Sequence, residues 1–199
     1  MSVEQVIALV SALSLAILTP GPAIIAAVQT AFAHGRERAL PYGLGLATGA
    51  SLWCLSALLG LAVLFRLNPG LFAAMKIFGG FYLLWFAWGL WRASTQPLPE
   101  AARGRKGFWG GIALNLSNPK PALFYAALIL SVFPAPMGPG QQALIYAICL
   151  ATELFWYVLV VVLMSTAAMR ARYFAAKFWI DRAASLAMAA LGLVLIVKH

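Results

Sequence analysis

Negative charge is nearly missing from this chain. Five Asp and Glu stand against fourteen Lys and Arg in 199 residues, and charged residues of both signs make up only 10%. Soluble proteins carry about 25%, and with 63% hydrophobic residues the chain has too little polar surface to cover a soluble exterior. A water-soluble globular domain is therefore excluded. Cysteine is scarce as well. Cys54 and Cys149 both lie within apolar runs, without CxxC or ligand spacing, and read as small buried hydrophobes rather than redox or metal groups. The two histidines are His34, in a loop, and His199, at the end of the chain. Acid–base catalysis thus has few candidates, no His/Cys/Asp cluster has metal spacing, and no cofactor is called for. The formal charge of +9 does not indicate nucleic acid, because the basic residues sit in short loops instead of gathering on one face or arm. A secretory leader is not expected either: Glu4 stands where a basic region would be, and the first apolar run passes into Thr19-Pro20-Gly21-Pro22 rather than a cleavage site.

What the sequence does contain is long apolar runs, at roughly 3–33, 40–65, 71–91, 108–133, 141–168 and 182–197. A span of the hydrocarbon core takes about 20 such residues. The expectation is an all-α integral membrane protein of about six transmembrane helices in a single domain, 1–199. Helices are expected because open sheet edges do not survive in hydrocarbon and no alternating barrel pattern appears. Basic residues mark the connections. Arg36 and Arg38 follow the first run. Arg92, Arg103, Arg105 and Lys106 follow the third, and Arg170, Arg172, Lys177 and Arg182 follow the fifth. The opposite side holds Arg66, Lys76 and Lys198. This ten-to-three division places the odd-numbered loops in the cytoplasm and both termini outside.

The chain also repeats itself. Pro20-Gly21-Pro22 in the first run and Pro119-Lys120-Pro121 in the fourth lie 99 residues apart, each followed by a further apolar half-helix. Tyr42-x-x-x-Leu46-Ala47-Thr48 returns as Tyr146-x-x-x-Leu150-Ala151-Thr152. Two halves of three helices, about 1–92 and 108–199 joined by a cytoplasmic loop at about 93–107, enter the membrane from opposite sides. That is a 3+3 inverted repeat, as in many secondary transporters.

Proline lacks an N–H and clashes with the carbonyl one turn earlier. Pro20 and Pro22 are expected to free the carbonyls of Ala16 and Leu18, and Pro119 and Pro121 those of Asn115 and Ser117. Such groups must find partners inside a membrane. Each new half-helix presents N–H groups and a positive dipole end that favour an anion such as a carboxylate. A single Pro-x-Pro reads as a kink; two at matching positions point to a binding site where helices 1 and 4 are broken.

Few other deep residues are polar. An ionised group at mid-helix costs about 2.5–3.5 kcal/mol even on a lenient scale, so Lys120 and Glu153 are expected to avoid lipid. Glu153 is either a proton carrier for antiport, a partner of Lys120, or a neutral group bonding between helices. Lys120 either caps the carbonyls ending the first half of helix 4 or contacts substrate. Thr19, Gln29, Asn115, Asn118 and Thr152 either line the same cavity or bond between helices. Gly45-x-x-x-Gly49 and Gly79-Gly80 read as close packing, the former also suiting a homodimer. The aromatic cluster at 81–91 reads as core or interfacial belt.

Several of these segments together resemble the LysE/RhtB family of amino-acid exporters: LTPGP at Leu18–Pro22, Gly35-Arg36, FGGFYL at Phe78–Leu83, NLSNPK at Asn115–Lys120, and Gly192. The resemblance covers nearly the whole chain. It implies export of amino acids or related metabolites from the cytoplasm of a bacterial-type cell, across the inner membrane, driven by protons. Relatives often carry an acidic or amide residue directly after PGP. Here Ala23 takes that place, which argues against a cationic substrate. An acidic residue ahead of an aromatic stretch in helix 5 is matched by Glu153 before Phe155-Trp156-Tyr157. The rival readings are a non-transporting scaffold subunit, which would tolerate loss of Lys120 and Glu153, and a membrane enzyme, which predicts catalytic polar residues clustered at one interface.

Overall fold

A computed structural model of the chain describes residues 1–19, 21–67, 69–96 and 107–197, excepting the side chains of 61–67, 69, 71–73, 75, 76, 119 and 170. Pro20, most of the polar connection at 93–107, Lys198 and His199 therefore lie outside the described residues, as do the side chains of Arg66, Lys76 and Arg170. The elements are α1 (Val3–Leu18), α2 (Pro22–Leu67), α3 (Pro69–Ala93), α4 (Gly107–Leu116), α5 (Pro119–Val132), α6 (Pro139–Met164) and α7 (Ala167–Val197). Among the described residues there is no strand. Pro22–Gly60, Pro139–Met164 and Ala167–Val197 are long and apolar enough to cross a membrane, and Val3–Leu18 and Lys120–Val132 are shorter apolar helices.

The first and fourth apolar runs are each two helices, as the prolines imply. The prolines begin the second piece instead of sitting within the gap: Pro22 opens α2, and Pro119 stands in the first turn of α5, where a missing N–H costs nothing. Asn118 caps α5, its Oδ1 accepting from the Lys120 N–H at 3.1 Å.

Two connections differ from expectation. The basic loop at 34–38 is only a bend within α2, made at Gly35 with φ 74°, a left-handed value that glycine tolerates best. The basic stretch after the fifth run is not a loop, because α7 begins at Ala167 and carries Arg172, Lys177 and Arg182 on its first half. Lys177 is buried there and pairs one turn on with Asp181, Nζ to Oδ2 at 2.7 Å. Arg182 donates from Nε to Ser94 Oγ at 3.0 Å and lies 3.4 Å over the Trp91 ring. Their charges are satisfied against α3, so the helix need not end.

The most extensive packing joins α2 to α4, α2 to α6, and α3 to α7. Glycine sets two of these contacts. A Cβ on Gly45 would overlap the Phe108 carbonyl oxygen, and one on Gly111 that of Tyr42. The Gly45-x-x-x-Gly49 face is thus filled by α4 and is not free for a second copy of the chain. Gly80 and Gly192 bring α3 and α7 together in the same way, a Cβ on Gly192 standing 2.8 Å from the Gly80 carbonyl oxygen. On the other side of α3, Phe78, Phe81, Trp85 and Trp88 point outward. Large exposed apolar side chains also mark α6 and α7, among them Phe155, Trp179, Leu186 and Leu193. The chain is apolar outside as well as inside.

Candidate functional site

Both breaks open onto one cavity of about 50 Å³, lined by every helix except α3 and α7, a volume that accommodates several water molecules. The end of α1 contributes Leu13, Ala16 and Ile17. The first break and the start of α2 contribute Thr19, Gly21, Ala23 and Ile24. From the second break come Asn115, Asn118, Lys120 and Pro121, followed by Phe124 and Tyr125 of α5. Ala50 of α2 and Glu153 and Tyr157 of α6 complete the wall. α1 reaches this point from one surface and α5 returns to it, since Gln5 near the start of α1 donates from Nε2 to the Val132 carbonyl at the end of α5 at 3.2 Å.

Carbonyls freed by the breaks are bonded from across the bundle. The Ala16 oxygen accepts a long, 3.5 Å bond from Lys120 Nζ, Leu18 O accepts from the Tyr173 hydroxyl at 2.8 Å, and Asn115 O from Trp53 Nε1 at 3.2 Å. Three of the four carbonyls expected from the proline positions thus have identified donors. Lys120 does not cap its own broken helix, as one reading had it; it reaches the end of α1 in the other half of the chain. Its ammonium lies 3.3 Å from where a Cβ on Gly21 would stand, and 5.1 Å from the centre of the Phe86 ring, within cation–π range.

Glu153 is 3% exposed and does not pair with Lys120. Its partner is Tyr125, whose hydroxyl donates to Oε1 at 2.7 Å. Asn115 is 1% exposed and donates from Nδ2 to the Leu46 carbonyl at 2.6 Å, which fixes the orientation of its amide. Glu153 Oε2 and Asn115 Oδ1 are buried with no hydrogen-bond partner among the described residues. A buried unsatisfied acceptor costs about 1–3 kcal/mol. Both belong to residues that line the cavity, which also holds an ammonium group.

The N-termini of the two second-half helices are not equivalent. In the first turn of α5, Pro119 and Pro121 have no N–H and the N–H of Lys120 is taken by Asn118. In the first turn of α2, Pro22 has none and Ile25 bonds to Gly21 O, but Ala23 and Ile24 line the cavity. The start of α2 thus borders the cavity, and the Lys120 ammonium sits beside Gly21 just ahead of it.

Of the residues singled out in the sequence, Thr19, Gly21, Asn115, Asn118, Lys120, Pro121 and Glu153 meet at the cavity. Pro22 is exposed, and Gln29 is exposed and away from the cavity. Thr152 is also away from it, donating back to Ile148 O at 2.8 Å. Thr19 donates to Leu15 O at 2.7 Å and so helps close α1. Tyr125 was missed: a tyrosine in an apolar helix reads as packing or belt, and nothing local marks it as the partner of an acid on another helix.

A model of the family described as LysE type translocator matches residues 14–199. The chain belongs to this family. It is 31% identical over 193 residues to the threonine efflux protein of Salmonella typhi, covering 92% of this chain and 93% of the relative. The threonine efflux protein of Escherichia coli (strain K12) matches with the same identity and coverage. A homoserine/homoserine lactone efflux protein of Salmonella typhimurium is 34% identical over 132 residues, covering 64% of this chain and 62% of that one. No solved structure matches.

Proposed function

We propose that the protein is a secondary transporter of the bacterial inner membrane that exports small amino acids or close derivatives from the cytoplasm by proton antiport. One observation carries this reading: a single buried cavity holds one ammonium, Lys120, and two unpartnered acceptor oxygens, Glu153 Oε2 and Asn115 Oδ1. That is the complement of an amino-acid zwitterion. The carboxylate binds between Lys120 and the start of α2, where the dipole of the helix N-terminus adds to the attraction. The ammonium donates to Glu153 and Asn115. The relatives named for threonine and homoserine efflux support the substrate class. The modest cavity favours small side chains.

Six spans follow if α1 with the first arm of α2, and α4 with α5, each count as one broken helix. The halves 1–92 and 108–199 then form an inverted repeat, with 93–107 between them in the cytoplasm and both termini outside, following the basic residues. Extensive packing between the second helices of the halves (α2 with α6) and the third (α3 with α7) supports the pairing. One half rocking against the other alternates access to the cavity, and Glu153 exchanges its proton for substrate. A scaffold subunit would have no use for two unsatisfied acceptors in a buried cavity.

Efflux from proteoliposomes preloaded with labelled threonine, homoserine and other amino acids, with and without an imposed pH gradient, tests this. Gradient-stimulated efflux of small neutral amino acids, lost in Glu153→Gln, is expected. Stimulated efflux that survives the substitution removes Glu153 as carrier, and no efflux above empty liposomes rejects the exporter.

A further inference from the structure

The seam between α3 and α7 carries a second hollow, which the exporter reading leaves unused. The two helices run antiparallel, with Gly80 beside Gly192, Ala87 beside Ser185 and Ala93 beside Lys177. On their outer side, Leu84, Trp88 and Trp91 of α3 and Ser185, Leu186 and Ala189 of α7 line an open groove of about 350 Å³, in the size range of ligand sites. Leu84 to Trp91 is about two helical turns, or roughly 10 Å. That fits within the roughly 15 Å of hydrocarbon that one leaflet provides. The Ser185 hydroxyl is spent on the Ala87 carbonyl at 2.7 Å. The floor of the groove therefore offers a polar solute nothing to bond to and suits a hydrocarbon chain.

One end of the groove is basic. Arg182 stands one turn from Ser185 and Leu186, toward the start of α7, with its guanidinium 3.4 Å over the Trp91 ring and 5.0 Å from the centre of the Phe178 ring. Its Nε donates to Ser94 Oγ at 3.0 Å. That bond and the two rings hold the guanidinium in place, and its terminal amino groups have no partner among the described residues. Arg92, in the last turn of α3, is exposed and lies one turn beyond Trp88 on the same stripe. Neither arginine has a carboxylate partner among the described residues, since Asp181, next to Arg182 in the chain, is taken by Lys177 at 2.7 Å. Trp88, Trp91 and Trp179 are exposed around this end, and tryptophan gathers at the level of lipid headgroups.

We propose that this groove binds one anionic phospholipid, with its phosphate on Arg182 and Arg92 and one acyl chain lying between α3 and α7. Charge and lining together select this occupant. Two cations at one end and hydrocarbon along the rest match a lipid of net negative charge, whereas a zwitterionic lipid brings an ammonium that the arginines repel. The planar fork of Arg182 suits paired bonds to phosphate oxygens. A second copy of the chain has little to offer these cations: it carries five acids, of which Glu153 and Asp181 are buried. On the orientation proposed above, the basic end lies in the cytoplasmic leaflet, where anionic lipids meet basic residues. Binding requires only that the chain lies in a membrane, so it stands or falls apart from the exporter reading.

Native mass spectrometry of the full chain reads this directly. The protein is stripped of lipid in neutral detergent and titrated with dioleoyl phosphatidylglycerol or dioleoyl phosphatidylcholine. Wild type is expected to retain one phosphatidylglycerol, with an affinity roughly tenfold or more above that for phosphatidylcholine. The Arg92→Gln/Arg182→Gln pair should bring the two lipids to within about twofold of each other. Ala189→Phe places a ring in the groove and keeps both arginines, and should weaken phosphatidylglycerol about fivefold or more. Should the double variant fail to fold, Arg92→Gln alone, at an exposed position, is expected to lower the preference about threefold or more. Equal binding of the two lipids by wild type overturns the site. A preference that survives both the arginine and the groove substitutions places the lipid elsewhere and also overturns it. A wild-type dimer that binds no phosphatidylglycerol and is split by Ala189→Phe assigns the groove to a second copy of the chain, which overturns it too.

Discussion

The Tyr125 hydroxyl donates to Glu153 Oε1 at 2.7 Å, tying α5 to α6, while Oε2 of the same carboxyl is buried without a partner among the described residues. One oxygen is held by Tyr125, and the residue itself lines the cavity. The bond therefore sets which way the carboxyl points. Tyr125→Phe keeps the ring and removes only that donor, leaving both oxygens unsatisfied. The expected cost is about 1–3 kcal/mol of stability, read as a lower melting temperature in detergent. Threonine efflux is expected to fall at least tenfold because the carboxyl is no longer aimed. An unchanged melting temperature would show the bond to be dispensable.

Lys120 is assigned to the substrate carboxylate, so its role is visible in what the transporter rejects. Wild type is expected to move threonine but to discriminate strongly against threonine carboxamide, which offers no negative charge. In Lys120→Met the chain packing on Phe86 is kept and the charge is gone. A hydrogen bond to a charged group is worth about 1.5–3 kcal/mol, which corresponds to roughly a ten- to hundredfold rise in KM for threonine. The carboxamide should be little affected. Competition by the two compounds for labelled threonine efflux measures the difference. Equal weakening of both would place Lys120 in structure, through its bond to Ala16 O.

Asn115 and Trp53 separate binding from support at one point in the chain. Trp53 bonds the backbone oxygen of Asn115 at 3.2 Å and does not line the cavity. Trp53→Phe is expected to cost about 1 kcal/mol and leave KM within about twofold. Asn115→Ala removes the acceptor proposed for the substrate ammonium and the Nδ2 bond that ties α4 to the Leu46 carbonyl of α2. It should lower stability and raise KM about tenfold. Initial efflux rates over a range of internal threonine, with melting curves of the same variants, decide between them.

What the sequence revealed depended on how local the physics was. A proline removes its own N–H and frees a carbonyl at a fixed distance along the chain, so both breaks and the identity of the freed carbonyls were legible. Their partners were not. Lys120, Tyr173 and Trp53 come from 104, 155 and 62 residues away, and only the packed bundle brings them together. Glu153 stood out as a lone acid in an apolar run. Tyr125 did not, because a tyrosine there has an ordinary apolar explanation. Gln29 misled because residues 23–28 are all buried, leaving no apolar stripe to show which way the next polar residue turns. The first half of α7 carries basic residues that in sequence have the look of a loop. Asp181, which makes that stretch tolerable inside the bundle by pairing with Lys177, was overlooked with it.

Close backbone approach between α2 and α4 supports the wall that carries Asn115, and it yields a prediction that needs no transport assay. A Cβ on Gly111 would overlap the Tyr42 carbonyl oxygen and also meet the Leu46 backbone N and Gly45 backbone C, at 2.7 and 2.9 Å. These are backbone atoms of a helix, so no side-chain rotation relieves the clash. Gly111→Ala must push α4 away from α2, at an overpacking cost of about 1–3 kcal/mol or more. It would also shift Asn115 from its 2.6 Å bond to Leu46 O. Gly89 is the matched control. It too lies within a helix, α3, but a Cβ there meets nothing within 4 Å. Gly89→Ala should be neutral or gain about 0.5–1 kcal/mol, since alanine loses less backbone entropy in a helix. Melting of the two variants in the same detergent is expected to move in opposite directions. A Gly111→Ala protein as stable as Gly89→Ala would mean that α2 and α4 are not in backbone contact.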